Sequence, residues 1–362
     1  MNCCVRCFKD AELIAIIKGG NKTGKCDFCN SDNTYVLSTD EDNADFKNNF
    51  EELLDVYTPI QAIGNSYPRG KADLLKNILY SQWSIFNINS DGIYRFLIAL
   101  FPEKYTEQPG LFDSPVGIAG SINEEYLEEY SILGALQWDD FVKEVKEKNR
   151  FHTNMISTKI LKTIFQSACK PYKTGDIFYR ARIWTDGQGF DKKHMGAPPA
   201  KKASAGRANP EGISCLYLAD SIDTTLHETR AGVYDCATVG KFKLLKDIEV
   251  VNLADIDKIS PFQQIDSSLL AINLPHLRKI GDDISRPLRR HDSILDYLPT
   301  QYISDYIKSA GFAGIEYKST MCKNGVNFAI FDQKLLRCIE TQSYDIESLT
   351  YMYHPLDKKA AF

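Results

Sequence analysis

The chain has 362 residues, which is enough for two domains of ordinary size and a small module. Its 43% hydrophobic and 25% charged residues are typical of a soluble globular protein. The net charge of −5 disfavours non-specific binding to nucleic acid. The sequence predicts neither a signal peptide nor a membrane span, so we expect a cytoplasmic protein with no membrane partner.

Cysteines near the start predict a metal site. The chain has ten cysteines, which in a reducing cytoplasm are expected to bind metal or stay free. Cys4 and Cys7 form one CxxC pair and Cys26 and Cys29 a second, with eighteen residues between the pairs, the spacing of a zinc ribbon. The alternative is four free buried thiols, and Cys3 could replace Cys4 as a ligand. We expect a ribbon over residues 1–40 whose zinc is structural, because four thiolates leave no open coordination position.

Residues 45–168 follow the period of amphipathic helices. Apolar side chains recur at i, i+3 and i+4, for example over residues 50–57 and 93–100, which predicts several short helices in a bundle. Trp83, Phe86 and Trp138 are expected in its core. Two prolines and three glycines between Tyr105 and Ser121 predict a loop there.

From residue 171 the pattern changes to strands. Residues 176–184 and 213–219 are predicted as strands, and the basic loop between them ends in GRANPEG at 206–212. Glycine, asparagine and proline suit a turn, but a turn does not require Arg207. Ser221 or Asp220 is expected to cap a helix. Residues 239–245 and 248–253 are predicted as consecutive strands, 301–309 as a helix and 341–362 as a tail.

Four motifs in this region together resemble the RES domain, a family named for an arginine, a glutamate and a serine. They are YRAR at 179–182, AGRANPEGISCLYLA at 205–219, TTLHETR at 224–230 and PTQYISDYIKSAGFAGIEYKST at 299–320. The resemblance covers about residues 171–340. The preceding helical segment resembles the HEPN-like domain that often accompanies RES.

The resemblance implies an α+β protein in which a small zinc ribbon and a helical domain precede an ADP-ribosyltransferase-like mixed α/β domain. This domain is expected to bind NAD in a cleft and to cleave the nicotinamide–ribose bond. The family's catalytic residues correspond to Arg180, Glu228 and Ser319.

Arg207 and Tyr217 match the family's cofactor-binding residues, and Arg182 is a further candidate. If residues 176–184 form a strand, we expect Arg180 and Arg182 to point in opposite directions. Only one of them would then face the cleft, and we choose Arg180.

These residue types suit NAD chemically. An arginine guanidinium matches pyrophosphate, and the face of Tyr217 could stack on the cationic nicotinamide ring. A carboxylate such as Glu228 could stabilise the positive charge that develops on the ribose, and Ser319 would fix orientation.

The resulting hypothesis is an NAD-degrading glycohydrolase or phosphorylase that arrests growth as a toxin or defence effector, paired with a protein antitoxin or regulator. An ADP-ribosyltransferase acting on a macromolecule is an alternative, since the motifs do not encode the acceptor. A non-catalytic NAD sensor with a zinc ribbon is another. A second copy of the chain remains open as a partner, and nucleic acid is not favoured but could still contact the ribbon.

Overall fold

The computed structural model describes residues 1–41, 43–185, 187–289, 292–350 and 353. The chain divides into two compact units. The N-terminal unit comprises Met1–Cys169 and Asp255–Asp283, and the C-terminal unit comprises Lys170–Ala254 and Ile284–Phe362. Residues 351, 352 and 354–362 of the predicted tail lie outside the described residues.

Helices account for most of the regular structure. In the described ranges the α-helices are α1 (Ala11–Gly19), α2 (Ala44–Leu54), α3 (Ile60–Ile63), α4 (Leu75–Ser81), α5 (Ser90–Leu100), α6 (Pro102–Glu107), α7 (Pro109–Asp113), α8 (Glu124–Tyr130), α9 (Trp138–Glu147), α10 (Thr158–Ser167), α11 (Ile222–Glu228), α12 (Ser267–Ser285) and α13 (Leu298–Ser309).

The strands group into two small sheets and one large one. In the same ranges they are β1 (Asn2–Cys4), β2 (Thr23–Gly24), β3 (Thr34–Ser38), β4 (Thr58–Pro59), β5 (Asp73–Leu74), β6 (Pro115–Gly117), β7 (Cys169–Tyr172), β8 (Ile177–Trp184), β9 (Leu216–Ala219), β10 (Cys236–Leu244), β11 (Ile248–Asn252), β12 (Gly314–Lys318), β13 (Val326–Ile330) and β14 (Leu336–Asp345).

Packed aromatic rings form the core of the N-terminal unit. Phe8 follows the first cysteine pair, and its ring centroid lies 5.2 Å from that of Phe86 and 5.6 Å from that of Phe96. This contact attaches the small β1-β3-β2 sheet to the helices around it. Trp83 and Trp138 are buried with Phe86, as predicted.

The predicted loop between Tyr105 and Ser121 was wrong. Helix α6 extends into this stretch, and α7 and β6 lie within it. Both helices carry a proline in their first turn, where the missing N–H is not needed for a helical hydrogen bond. Proline therefore starts these helices instead of breaking them.

A mixed eight-stranded sheet forms the centre of the C-terminal unit, in the order β14-β10-β8-β9-β13-β12-β11-β7. Strands β11 and β12 are parallel, whereas the pairs from β14 through β12 are antiparallel. An apolar cluster that includes Phe178, Phe242 and Phe328 packs on this sheet. The predicted α+β class, with helices first and a mixed sheet in the C-terminal region, is confirmed.

Two predicted strands, at 239–245 and 248–253, correspond to β10 and β11, but they are not neighbours in the sheet. The strand predicted at 213–219 begins only at Leu216. Strand β14 runs five residues into the segment predicted as a tail, because Cys236–Leu244 of β10 pairs with it as far as Asp345.

Candidate functional site

A cavity of about 300 Å³ opens in the C-terminal unit beside β8, β9, α11, β12 and β13. Four of the predicted site residues line it, namely Arg180, Arg207, Tyr217 and Glu228. They come from three separate motifs, YRAR, AGRANPEGISCLYLA and TTLHETR, which the fold brings to one place. Ser319 reaches the same place through a hydrogen bond to Glu228.

The cavity forms where two strands separate. Strands β8 and β9 pair only at Tyr179 and Ala219. Beyond this pair the N–H of Ala181 donates to Thr225 Oγ1 on α11 at 2.8 Å. Ser221 caps the start of α11, where its Oγ accepts from Thr224 N at 3.1 Å. Helix α11 is thereby fixed against β8, with Glu228 as its last residue.

The carboxylate of Glu228 is held through one oxygen. Oε1 accepts from Ser319 Oγ at 2.6 Å and from Asn327 Nδ2 at 2.8 Å. Ser319 Oγ in turn accepts from the backbone N–H groups of Met321 and Cys322, at 3.2 and 3.1 Å. These two donors occupy the serine's acceptor side, so its proton is directed toward Glu228.

Asn327 was not predicted as a site residue. It is 3% exposed, lines the cavity and lies on β13 between two neighbouring strands. The pattern that could have indicated it is a single polar residue directly before the apolar run 328–331, because a buried amide in a strand needs partners.

Arg180 presents an unused hydrogen-bond donor. Its Nη1 is buried and, among the described residues, has no hydrogen-bond partner. Burial, followed by repulsion from Arg182, lowers the pKa of Arg180 to about 10, so the guanidinium still carries its charge at neutral pH. A buried unpaired cation in a cavity is suited to an anionic ligand.

Arg182 does not line the cavity. Its Nη2 donates to the Gly196 carbonyl at 2.8 Å, and its guanidinium lies 5.6 Å from the ring centroid of Phe190. The expectation that Arg180 and Arg182 point in opposite directions was wrong. Residues two apart on a strand share a face, and β8 pairs with β10 without a register shift.

The GRANPEG loop is held by its own asparagine. Asn209 Nδ2 donates to the carbonyls of Ser204, Pro210 and Ile213, and its Oδ1 accepts from Tyr217 Oη at 2.6 Å. Gly206 is required here, since a Cβ at this position would lie 2.6 Å from Tyr217 Oη.

Arg207 has structural contacts as well as a place in the cavity. Its Nη1 donates to the carbonyls of Ile284 and Ser285, the last residues of α12, at 3.2 and 3.0 Å. Its guanidinium lies 5.1 Å from the ring centroid of Tyr317. The arginine thus binds helix-end carbonyls, and its role as an NAD ligand stays a prediction.

The N-terminal unit contains the predicted cysteine cluster. The Sγ atoms of Cys4, Cys7, Cys26 and Cys29 all lie within 4.8 Å of one another, with contacts of 3.4 to 3.9 Å. Four thiolates around zinc at about 2.3 Å would lie about 3.8 Å apart, so these residues fit the ion. Cys3 is buried but is not a member of this group.

In the part of the chain that the structure describes, no helix combines the length and apolar character that crossing a membrane requires.

Comparison with known proteins identifies one family. The RES domain family matches residues 177–351. No curated protein matches the chain. Among solved structures, a chain of the M. tuberculosis MbcT-MbcA toxin-antitoxin complex is 14% identical, with 52% of this chain and 93% of that chain covered and a TM-score of 0.33. A similarity at this score supports no further conclusion.

Proposed function

Because residues 177–351 place this chain in the RES domain family, we propose that it binds NAD in the C-terminal cavity and cleaves the nicotinamide–ribose bond. The observation that carries the proposal is one cavity that contains both the unpaired Arg180 Nη1 and the fixed carboxylate of Glu228. These are the two charges that the reaction needs, one for a phosphate and one for a developing cation.

Arg180 is suited to the pyrophosphate of NAD. Its free nitrogen is already desolvated, so a phosphate oxygen would restore a hydrogen bond that folding leaves unmade. The cavity of about 300 Å³ is at the lower limit of ligand pockets, so it would enclose part of the dinucleotide.

Glu228 is suited to the ribose next to the bond that breaks. As the bond to nicotinamide lengthens, its electron pair moves to the ring nitrogen and neutralises the pyridinium, while positive charge develops on the ribose. The carboxylate stabilises that charge, and its second oxygen can accept a hydrogen bond from a ribose hydroxyl. Ser319 orients Glu228 through the hydrogen bond that its hydroxyl donates to the carboxylate.

Aromatic faces are available for the nicotinamide ring. Tyr217, Tyr297 and Tyr317 line the cavity. The Tyr217 hydroxyl is already bonded to Asn209 and Ala208, so its ring, not its hydroxyl, is the part offered to a cationic ligand.

The biological role that we propose is growth arrest, as a cytoplasmic toxin or defence effector controlled by a protein antitoxin. Its support is the RES family alone. The domain limits 1–40, 45–168 and 171–340 and the HEPN-like assignment remain predictions. If zinc binds Cys4, Cys7, Cys26 and Cys29, it supplies a closed structural crosslink in the N-terminal unit.

The test is nicotinamide release from NAD by the purified full chain, with the ribose product identified by mass. We expect release by the wild type and at least a hundredfold slower release by Glu228→Gln, whereas Asp223→Asn, an exposed carboxylate of the same helix, stays active. The mass of the ribose product shows whether water, phosphate or a macromolecule was the acceptor. NAD binding without nicotinamide release would favour the sensor. If the chain neither bound NAD nor released nicotinamide, the proposal would be refuted.

A further inference from the structure

Asn327 is a fixed hydrogen-bond donor beside Glu228. Its backbone lies in the interior of the sheet, where it pairs with Ala219 on β9 and with Tyr317 on β12. Its side chain is 3% exposed. A residue paired on both sides and enclosed by its neighbours has little freedom to move, so the amide holds one position.

The direction of this hydrogen bond follows from the chemistry of the two groups. An ionised carboxylate only accepts, so the amide must present its Nδ2 and not its oxygen. A donor bonded to a charged acceptor forms one of the stronger hydrogen bonds in proteins. The 2.8 Å contact between Asn327 Nδ2 and Glu228 Oε1 is therefore specific to asparagine over aspartate at this position.

Both donors act on the same oxygen of Glu228. Ser319 Oγ and Asn327 Nδ2 approach Oε1, one from a loop and one from the sheet. No hydrogen bond of the described residues involves Oε2. Two donors on one oxygen fix the rotation of the carboxylate and leave the other oxygen for a ligand.

We infer that Asn327 is a positioning residue, which together with Ser319 orients Glu228 so that its second oxygen faces the ribose of the substrate. The inference rests on the proposed cleavage of NAD and adds the group that aims the carboxylate. Asn327 acts through Glu228 and not on the substrate.

The charged and titratable groups around Glu228 determine how the rate of nicotinamide release depends on pH. The cavity is shared with Arg180 on β8, Arg207 in the loop, Tyr217 on β9, Tyr297 before α13 and Tyr317 on β12. Arginine keeps its charge in neutral and acidic solution, and burial raises the pKa of Tyr217 and Tyr317. On α11 itself Asp223 and His227 are exposed. An aspartate at position 327 would therefore add an acidic side chain, absent from the wild type, in contact with Glu228.

The test compares three variants of the full chain. Asn327→Asp keeps the shape but replaces the donor with a second carboxylate, and Asn327→Leu removes the donor without adding charge. Asn324→Asp adds the same charge at an exposed position of the turn before β13, where the positive φ of 63° is one that aspartate tolerates. The measurements are kcat and KM for nicotinamide release against pH, and the thermal midpoint of each variant.

We expect Asn327→Leu to lower kcat by roughly 10- to 100-fold with little change in KM, since a hydrogen bond to a charged group is lost. Asn327→Asp should also move the acid limb of the pH–rate profile upward by about one pH unit or more, because two adjacent carboxylates share a proton. Asn324→Asp should match the wild type. An unchanged pH–rate profile in Asn327→Asp would overturn the inference, and so would decreases in kcat that are explained by lower thermal midpoints alone.

A second measurement keeps this inference separate from the proposed function. Carbon-13 NMR of glutamate-labelled protein, assigned with Glu228→Gln, follows the pH midpoint of the Glu228 carboxyl without any turnover. If the wild type released no nicotinamide, the proposed function would fail. The contact between Asn327 and Glu228 would then still be tested by an upward shift of this midpoint in Asn327→Asp, and no shift would refute it.

Discussion

We expect His276 to make the N-terminal unit sensitive to acid. It is 8% exposed on α12, and burial, with a smaller effect of Lys71, lowers the pKa of His276 to about 4 from 6.5. Between these values the unfolded chain takes up a proton that the folded chain does not. The free energy of unfolding therefore falls as the pH falls from 6.5 to 4, by up to about 3 kcal/mol.

Urea unfolding at several pH values measures this effect. His276→Gln should lose less stability than the wild type between pH 6.5 and 4. The exposed His152→Gln is the matched control and should follow the wild type. Equal acid sensitivity of His276→Gln and the wild type would show that other groups cause it.

Single residues of the site were predictable to different degrees. The motifs that contain Arg180 and Glu228 resemble those of the RES domain, and this resemblance predicted both residues in one cleft. Both of them line the cavity. The contacts of Arg207 with the end of α12 could not be predicted, because its partners are backbone carbonyls 77 and 78 residues away. Asn327 was missed because its role depends on which side chain lies opposite it in space.

At the scale of elements, a hydrogen bond from the backbone of β8 to the side chain of Thr225 joins α11 to that strand. Thr225→Val keeps the shape of the side chain but leaves the buried N–H of Ala181 without its acceptor. We expect a loss of about 1–3 kcal/mol in the free energy of unfolding and slower NAD cleavage, because Glu228 is on the same helix.

Chemical unfolding and nicotinamide release, measured on the same preparations, check this expectation. Thr163→Val, at an exposed position of α10, is the control and should change neither quantity. If Thr225→Val behaved like the control, the hydrogen bond to Ala181 would not be what attaches the helix.

The elements themselves were mostly predictable, whereas their pairing was not. Periodicity indicated helices near α2 and α5 and the strands β8 and β10, but it missed α7 in the stretch predicted as a loop. Nothing local shows that β10 and β11, three residues apart, lie far from each other in the sheet. That arrangement depends on long-range pairing, which a residue pattern does not encode.

For the whole molecule, the cysteine cluster predicts a metal-dependent N-terminal unit. Elemental analysis of the purified chain should find one zinc per molecule, because four thiolates with contacts of 3.4 to 3.9 Å complete its coordination. Cys26→Ser should lose the metal and lower the midpoint of thermal unfolding.

The control for that experiment is Cys338→Ser, a half-buried cysteine outside the cluster, which should retain zinc. A wild-type chain without metal whose four N-terminal thiols react freely would instead support the alternative of free cysteines.

The measurement that tests the account most directly is calorimetric binding of NAD to Glu228→Gln, a background in which turnover is suppressed. Adding Arg180→Ala should weaken binding by roughly 10- to 100-fold, since the unpaired Nη1 in the cavity is lost as a phosphate donor. Adding Arg337→Ala, an exposed arginine on β14, removes the same charge and should leave the affinity unchanged. Equal affinities in all three proteins would contradict the assignment of this cavity to NAD.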